Sequence, residues 1–430
     1  MKKIISFQDF DPDKLHRKVY SESRELRDKV SAIIDRVREQ GDEALFQLTA
    51  ELDGVDLRTR GLKVSPWELE EAYTKVDQSF LQALRRAKEN IYNYHAKQKR
   101  SSWFESKEDG SMLGQLYRPL QRVGIYVPGG TAAYPSSVLM NALPALVAGV
   151  EQIVMVSPPC KDGSMLPEVL VAAQECGVAE IYKIGGAQAI AALAYGTECI
   201  KPVDKITGPG NIYVTLAKKE VYGTVDIDML AGPSEILILA DQSGCPEELA
   251  ADLLSQAEHD RLASSILISP DLKLLEDTAA AVERQLEELP RAEIARASWE
   301  NNGALVLVED LKQGMDLANS IAPEHLELVV EEPLLWLGKV KNAGAVFLGR
   351  NTPEAVGDYF AGPNHILPTG GTARFYSVLD VDTFMKKVSV VGYSAEALQR
   401  DAEQIVLLAR REGLEAHARA ITVRQRGKKG

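Results

Sequence analysis

From Val123 onward the chain repeats one device: a short apolar run rich in β-branched residues, a turn, then a helical stretch. Val123 to Val127 ends in Pro128-Gly129-Gly130 and is followed by the helix-like segment from Ser136 to Val147. Gln152 to Val156 leads to Leu166 to Cys176, and Glu180 to Ile184 ends in Gly185-Gly186 before Ala187 to Tyr195. Further short apolar runs stand at 236–239, 263–268, 304–308, 326–330 and 345–348, separated by helical stretches such as Asp271 to Leu289. Runs this short and this continuously apolar suit strands covered on both faces, and the alternation calls for parallel strands joined by helices. Two doubly wound α/β sheets are the economical reading.

The first quarter has a different texture. Leu26, Val30, Ile33, Ile34, Val37, Leu45 and Leu48 recur at helical spacing, and Pro66 to Lys97 repeats the pattern behind Ser65 as an N-cap. The tail from Ser394 to Glu412 is again helical, with Leu398, Ala402, Ile405, Leu408 and Ala409 on one side and Gly413 placed to end it. No low-complexity linker separates these parts. The texture change at Val123 and the turn Ala231-Gly232-Pro233-Ser234 divide the chain into a helical start at 1–22, an outer domain of 23–122 and 236–381, an inner domain of 123–235, and a helical arm at 382–430. The three Gly-Pro turns, at Gly208, Gly232 and Gly362, are too common a device to indicate duplication.

Composition narrows the function. With 49 Lys+Arg against 62 Asp+Glu, the net charge of -13 argues against nucleic acid or an anionic membrane as the main partner and leaves a small molecule or a protein. Four cysteines without a Cys-x-x-Cys pair read as reduced packing residues, and no run reaches the roughly eighteen apolar residues of a membrane span. The start, Met1 to Phe10, has no apolar signal region, so a cytoplasmic location is expected.

Four of the six histidines, His259, His325, His365 and His417, fall late in the chain. Gln256 and His259 share a helix face, Asp358 stands in a polar turn-like segment, and His417 follows the C-terminal helix. Two nitrogen and two oxygen ligands suit zinc, with manganese or cobalt also accommodated. By pattern alone, a surface pair and a turn residue explain the same positions, and both readings stand open here. Pro323-Glu324-His325 places a carboxylate beside an imidazole just ahead of a strand, where loop geometry lets the two converge for acid–base work. A charged residue ending a helix-to-strand connection accounts for it equally simply. His365 reads as a turn residue making a structural hydrogen bond, and His16 and His95 as solvated. The dinucleotide fingerprint is missing: Gly208-Pro209-Gly210 has Tyr213 where a third glycine belongs, and no acidic residue follows at the expected strand end.

Taken in order and spacing, several segments together resemble the histidinol dehydrogenase family. They are Val123 to Gly130, Gly185 to Leu193, Gly208-Pro209-Gly210-Asn211, Ala231 to Glu235, Gln256-Ala257-Glu258-His259-Asp260, Ala322 to Glu327, Gly357-Asp358-Tyr359, Gly362 to Thr369 and Glu412 to His417. The resemblance implies two Rossmann-like doubly wound domains plus helical N-terminal and C-terminal dimerisation segments. It also implies a zinc-dependent, NAD-linked oxidation of L-histidinol through the aldehyde to L-histidine. Carried over residue by residue, Gln256, His259, Asp358 and His417 match zinc ligands, and Glu324 and His325 the catalytic pair. Tyr126, Gln188 and Asn211 match positions at NAD, while Ser234, Gln256, His259, His325, Asp358, Glu412 and His417 match positions around the substrate. A homodimer with shared active sites follows, in which Glu412 and His417 serve the other copy. The alternatives are a related zinc and NAD dehydrogenase of another small alcohol, and a zinc hydrolase in which Glu324 activates water.

Overall fold

In the computed structural model, the structure describes residues 3–12, 23–129, 133–178 and 180–426. The chain forms two compact units, one of residues 1–98 and 120–384 and one of residues 99–119 and 385–430.

The first unit contains two parallel sheets. The inner one runs Glu180–Tyr182, Gln152–Val156, Arg122–Tyr126, Lys205–Thr207, Asp226–Ile227 across its width. The outer one runs Ile4–Ser6, Ala304–Leu307, Ser264–Ser269, Glu235–Ala240, His325–Val329, Ala345–Leu348. Counted from its own first strand after residue 120, each sheet has the order 3-2-1-4-5, so the halves repeat in topology although their Gly-Pro turns gave no such sign. In the outer sheet Ile236, Ile238 and Leu267 pack on helices Pro246–Ala257, Leu272–Leu286 and Ala292–Asn302. Leu237, Leu239 and Ile268 pack on the opposite side with helix Leu311–Ile321. Burial on both faces is the reason these strands read as unbroken apolar runs.

Three expectations change. The start, expected helical over 1–22, contributes the strand Ile4–Ser6, which pairs in parallel with Ala304–Leu307 at the sheet edge. Two adjacent isoleucines favour extended backbone, and the open edge supplies the partners. The stretch 23–122 was placed with the outer domain. Instead Val30, Ile34, Val37 and Leu45 of helix Arg24–Leu52 share a core with Val154, Val156 and Ile190 of the inner lobe, and helices Pro66–Lys75 and Gln78–Ala96 also pack on inner-lobe helices. An amphipathic stripe states that a face is buried and not against what. The N-cap at Ser65 is present and forms a capping box with Glu68.

The second unit is not a purely helical arm. Met385–Gly392 is the edge strand of an antiparallel sheet with Met112–Pro119 and Trp103–Ser106, and only then do helices Ala395–Arg411 and Glu415–Arg426 follow. Gly413, at a φ of 77°, turns the chain between them. Among the described residues no helix is long and apolar enough to cross a membrane.

Candidate active site

The outer sheet places a dense ionisable cluster at the entry of its central strands. His325 opens its strand between Ile236 and Ala345, and Glu235 opens the neighbouring one. Just upstream Ala322 holds a φ of 53°, the one positive-φ residue other than glycine among the described residues. This left-handed turn ends helix Leu311–Ile321 and brings Pro323-Glu324 into the site, a costly conformation of the kind that surrounding structure must hold in place.

Glu324 Oε2 accepts the Glu235 N–H at 2.8 Å and lies 3.7 Å from His325 Nδ1. The ring of His325 is itself fixed by the Glu235 carbonyl oxygen, 3.0 Å from Nδ1. A carbonyl only accepts, so Nδ1 carries a proton, and in the neutral ring Nε2 presents its lone pair. Nε2 is buried without a hydrogen-bond partner among the described residues, 3.6 Å from Asp358 Oδ1 and 3.9 Å from Glu354 Oε1. Burial opposes charge on this imidazole, but Glu354, Glu324 and Asp358 outweigh it and hold its pKa well above the usual value. His325 is thus a strong base, and Nε2, facing Asp358 and Glu354, is the nitrogen at which it gains and releases its second proton.

The carboxyls divide by environment. Burial pushes Glu324 up to about 8 and Glu235 up to about 7, each partly offset by His325. Glu354 rises to about 7 for the same reason. Asp358 is only half-buried; burial still opposes its charge, but its contact with His325, and the imidazoles of His365 and His259, keep its pKa below the ordinary value. His365 donates from Nδ1 to the Asp358 carbonyl oxygen, 2.9 Å away, the structural turn bond expected of it. Behind the site Glu327 accepts the Glu354 N–H at 2.8 Å and is hydrogen-bonded to Asp252, and burial raises both carboxyls.

The expected ligands assemble in part. Gln256 is fully buried, its side-chain amide 3.2 Å from His325 Nδ1, whose proton already serves the Glu235 carbonyl, so that contact is no hydrogen bond from the Gln256 NH2 group, and its Oε1 has no partner among the described residues. His259 follows one turn later, exposed, where Asp358 and His325 both act on its charge. Ser234 directly precedes Glu235 at the strand entry. Glu412 and His417 belong to the second unit, both exposed, the first at the end of helix Ala395–Arg411 and the second in helix Glu415–Arg426. The tightest metal-competent group among the described residues is His325, Glu354 and Asp358, with ligand atoms within 4.8 Å of one another. Only Asp358 is common to this group and the expected set. An orphaned Gln256 oxygen and a charged Asp358 carboxylate bordered by His259 nevertheless fit a zinc ion.

A second site lies on the inner sheet. Tyr126, Gln188 and Asn211 all line one cleft of ≈ 1240 Å³, together with Pro128, Gly129, Gly186, Gly210 and Asp260. Tyr126 ends its strand, and its hydroxyl accepts the Gly186 N–H at 3.2 Å. Gly208 passes so close that a Cβ would lie 2.1 Å from the Tyr126 carbonyl oxygen, at a φ of 108°. Asn211 caps helix Ile212–Val221 with its oxygen, at 3.0 Å from Tyr213 N, which leaves its NH2 group as a donor. Gln188 Oε1 is buried and has no partner among the described residues. Cleft position at the switch of strand order, a helix N-terminus and unspent polar groups together fit a dinucleotide.

Sequence reasoning passed over Glu235, Glu327 and Glu354 as site residues, and took His95 as solvated. Glu354 precedes Asp358 by four and Glu327 follows His325 by two, spacings that share a helix face and a strand face. His95 is fully buried, with Nδ1 2.7 Å from Gln98 Oε1, because it continues the stripe Leu84, Ala87, Ile91. His16 lies outside the described residues.

A family model for histidinol dehydrogenase matches residues 16–425. A histidinol dehydrogenase of Moorella thermoacetica is 60% identical over 397 residues, covering 92% of this chain and 94% of its own. That of Bacillus subtilis is 56% identical over 412 residues, 96% of each chain. In structure, the histidinol dehydrogenase of Elizabethkingia anophelis superposes with a TM-score of 0.93 at 36% identity, covering 99% of this chain and 98% of that one.

Proposed function

The chain belongs to the histidinol dehydrogenase family, NAD-dependent oxidoreductases of histidine biosynthesis, and from that premise we propose how its residues carry out the oxidation of L-histidinol through L-histidinal to L-histidine. Gln256, His259 and Asp358 hold zinc, with His417 as the fourth ligand, and Tyr126, Gln188 and Asn211 hold NAD. Zinc, when bound, anchors the substrate's imidazole and amine, and NAD accepts hydride.

The chain's own groups move the protons. His325 takes the hydroxyl proton at Nε2, and the imidazolium so formed is stabilised by Asp358 and Glu354 on that side and by Glu324 on the other. The second oxidation needs water added to the aldehyde. Glu324, held by the Glu235 N–H, removes a proton from that water while the His325 imidazolium returns its proton to the aldehyde oxygen, and His325, neutral again, accepts a hydroxyl proton of the hydrate as the second hydride leaves. Ser234, at the strand entry beside Glu235, contributes to the substrate pocket.

Glu412 and His417 lie together in the second unit, whose helices and sheet suit an exchanged element. We assign them to the site of a second copy in a homodimer. The two parallel sheets with their shared 3-2-1-4-5 order support a reading as two Rossmann-like domains, and the biosynthetic role supports a cytoplasmic location.

The observation that carries the proposal is the bare, buried Nε2 of His325 facing two carboxylates in a chain of this family. Purified protein with zinc, NAD and L-histidinol should form NADH, and a chelator should stop it. Absence of NADH with zinc and histidinol present would overturn the assignment.

A further inference from the structure

In a sheet of order 3-2-1-4-5 a dinucleotide spans the strand ends at the switch of direction, and an acidic residue at the end of the second strand ordinarily takes the adenosine ribose hydroxyls. The second strand of the inner sheet, Gln152–Val156, ends in Ser157-Pro158-Pro159-Cys160 and offers no carboxylate. The carboxylate at that place comes from elsewhere in the chain. Asp53 is the C-cap of helix Arg24–Leu52, its N–H donating to Thr49 O at 3.0 Å. Its carbonyl accepts Lys161 Nζ at 3.1 Å, and Lys161 directly follows the Ser157 to Cys160 turn. Asp53 is thereby tied to the end of the second strand.

Its Oδ2 is buried and has no hydrogen-bond partner among the described residues, yet Asp53 lines the same cleft as Tyr126 and Gln188. Burial raises the carboxyl and Lys161 partly offsets it. Of the three cations on the cleft wall, Lys29 is matched by Glu25 and Arg36 by Glu51, while Lys161 is bound to the Asp53 carbonyl.

We propose that Asp53 accepts the adenosine ribose hydroxyls of NAD, supplying from the N-terminal helix the acid that the second strand lacks, and so sets the preference for NAD over NADP. A carboxylate there bonds a 2′-hydroxyl and repels a 2′-phosphate. This rests on the reading of the cleft as the NAD site.

The test is calorimetric binding of NAD, 2′-deoxy-NAD and NADP to the zinc-loaded full-length protein, without substrate. The parent should bind NAD at least about tenfold more tightly than 2′-deoxy-NAD, the usual scale for a hydrogen bond to a charged group, and should bind NADP more weakly still. Asp53→Ala should bind NAD and 2′-deoxy-NAD alike. Asp53→Asn, which keeps the shape, should narrow the gap between NAD and NADP by about tenfold or more. An Asp53→Ala protein that still discriminates against 2′-deoxy-NAD as the parent does would overturn the proposal, as would an Asp53→Asn protein with the parent's NADP gap. Gln188→Ala separates the two readings. If it weakens NAD while the Asp53 variants behave like the parent, only Asp53 is misassigned; if neither position affects NAD, the cleft reading fails with it.

Discussion

Glu324 and His325 are adjacent in the chain, yet Glu324 Oε2 lies 3.7 Å from His325 Nδ1, on the opposite side of the ring from the bare Nε2. Neighbours in a regular strand point to opposite faces. Here His325 is the first strand residue and Glu324 still belongs to the turn set by Ala322, which allows the two to converge. The imidazole thus has the Glu324 carboxylate beside Nδ1 and the Asp358 and Glu354 carboxylates beside Nε2, an arrangement on which the proposed division between water activation and proton abstraction rests.

Glu324→Gln should leave alcohol oxidation measurable and slow the oxidation of added histidinal by about a hundredfold or more, the scale of general-base catalysis. In the parent the aldehyde step should accelerate as pH rises toward about 8, because the ionised carboxylate is the active form and burial has raised its pKa to that value. The variant should lose this rise. Stopped-flow NADH formation from histidinal across pH checks both, and a variant as fast as the parent shows that Glu324 does not activate water.

Glu235 gives a stability prediction. Burial raises its carboxyl from 4.5 to about 7, so the folded state binds a proton that the unfolded chain has released. Its contribution is fully favourable below about pH 4.5 and is lost as pH rises to about 7. Glu235→Gln keeps an acceptor for the Gly370 N–H, 3.0 Å from Glu235 Oε1, and removes the ionisation. Relative to the parent it should gain stability between pH 5 and pH 8, by on the order of 3 kcal/mol. Urea unfolding at the two pH values measures this; an equal difference at both would show that Glu235 does not titrate in this range.

Gln256→Ala removes the unpartnered Oε1 and should lower zinc affinity at least about tenfold, comparable to losing a supporting group at a metal site. Chelator competition and metal content after dialysis report it. Unchanged zinc retention in this variant, combined with loss in Glu354→Gln, would shift the metal to the alternative group of His325, Glu354 and Asp358.

His417→Ala and His325→Ala homodimers should each be inactive, and co-expressed mixtures should recover activity, because one site of the heterodimer then keeps both residues. Mixtures no more active than the sum of the separate variants would place His417 outside the other copy's site.

Much of this site was legible. Runs such as Ile236 to Leu239, apolar at every position, announce a strand covered on both faces, and the order of the motifs identifies the family. Ser65 with Glu68 and Gly413 fixed helix boundaries because capping is decided within a few residues. Glu354 and His95 were readable in principle from helical spacing, but a charged residue in a polar segment and a histidine among lysines look solvated until the partner surface is known.

Addresses were a different matter. The helix Arg24–Leu52 shows its buried stripe in the sequence, and nothing local says that the stripe meets Val154 and Ile190, so it was assigned to the wrong lobe. Ile4–Ser6 became a strand because an open edge at Ala304–Leu307 accepted it. Sequence by itself determined the strand and helix alternation, the caps and the residue types available for chemistry, since these follow from propensity, periodicity and spacing. Tertiary structure alone decided which nitrogen of His325 is bare, how far burial lifts Glu235 and Glu324, and that Asp53 stands at the end of a strand about a hundred residues away in sequence. Hydrogen-bond partners and desolvation arise from segments distant in the chain, and no local pattern encodes them.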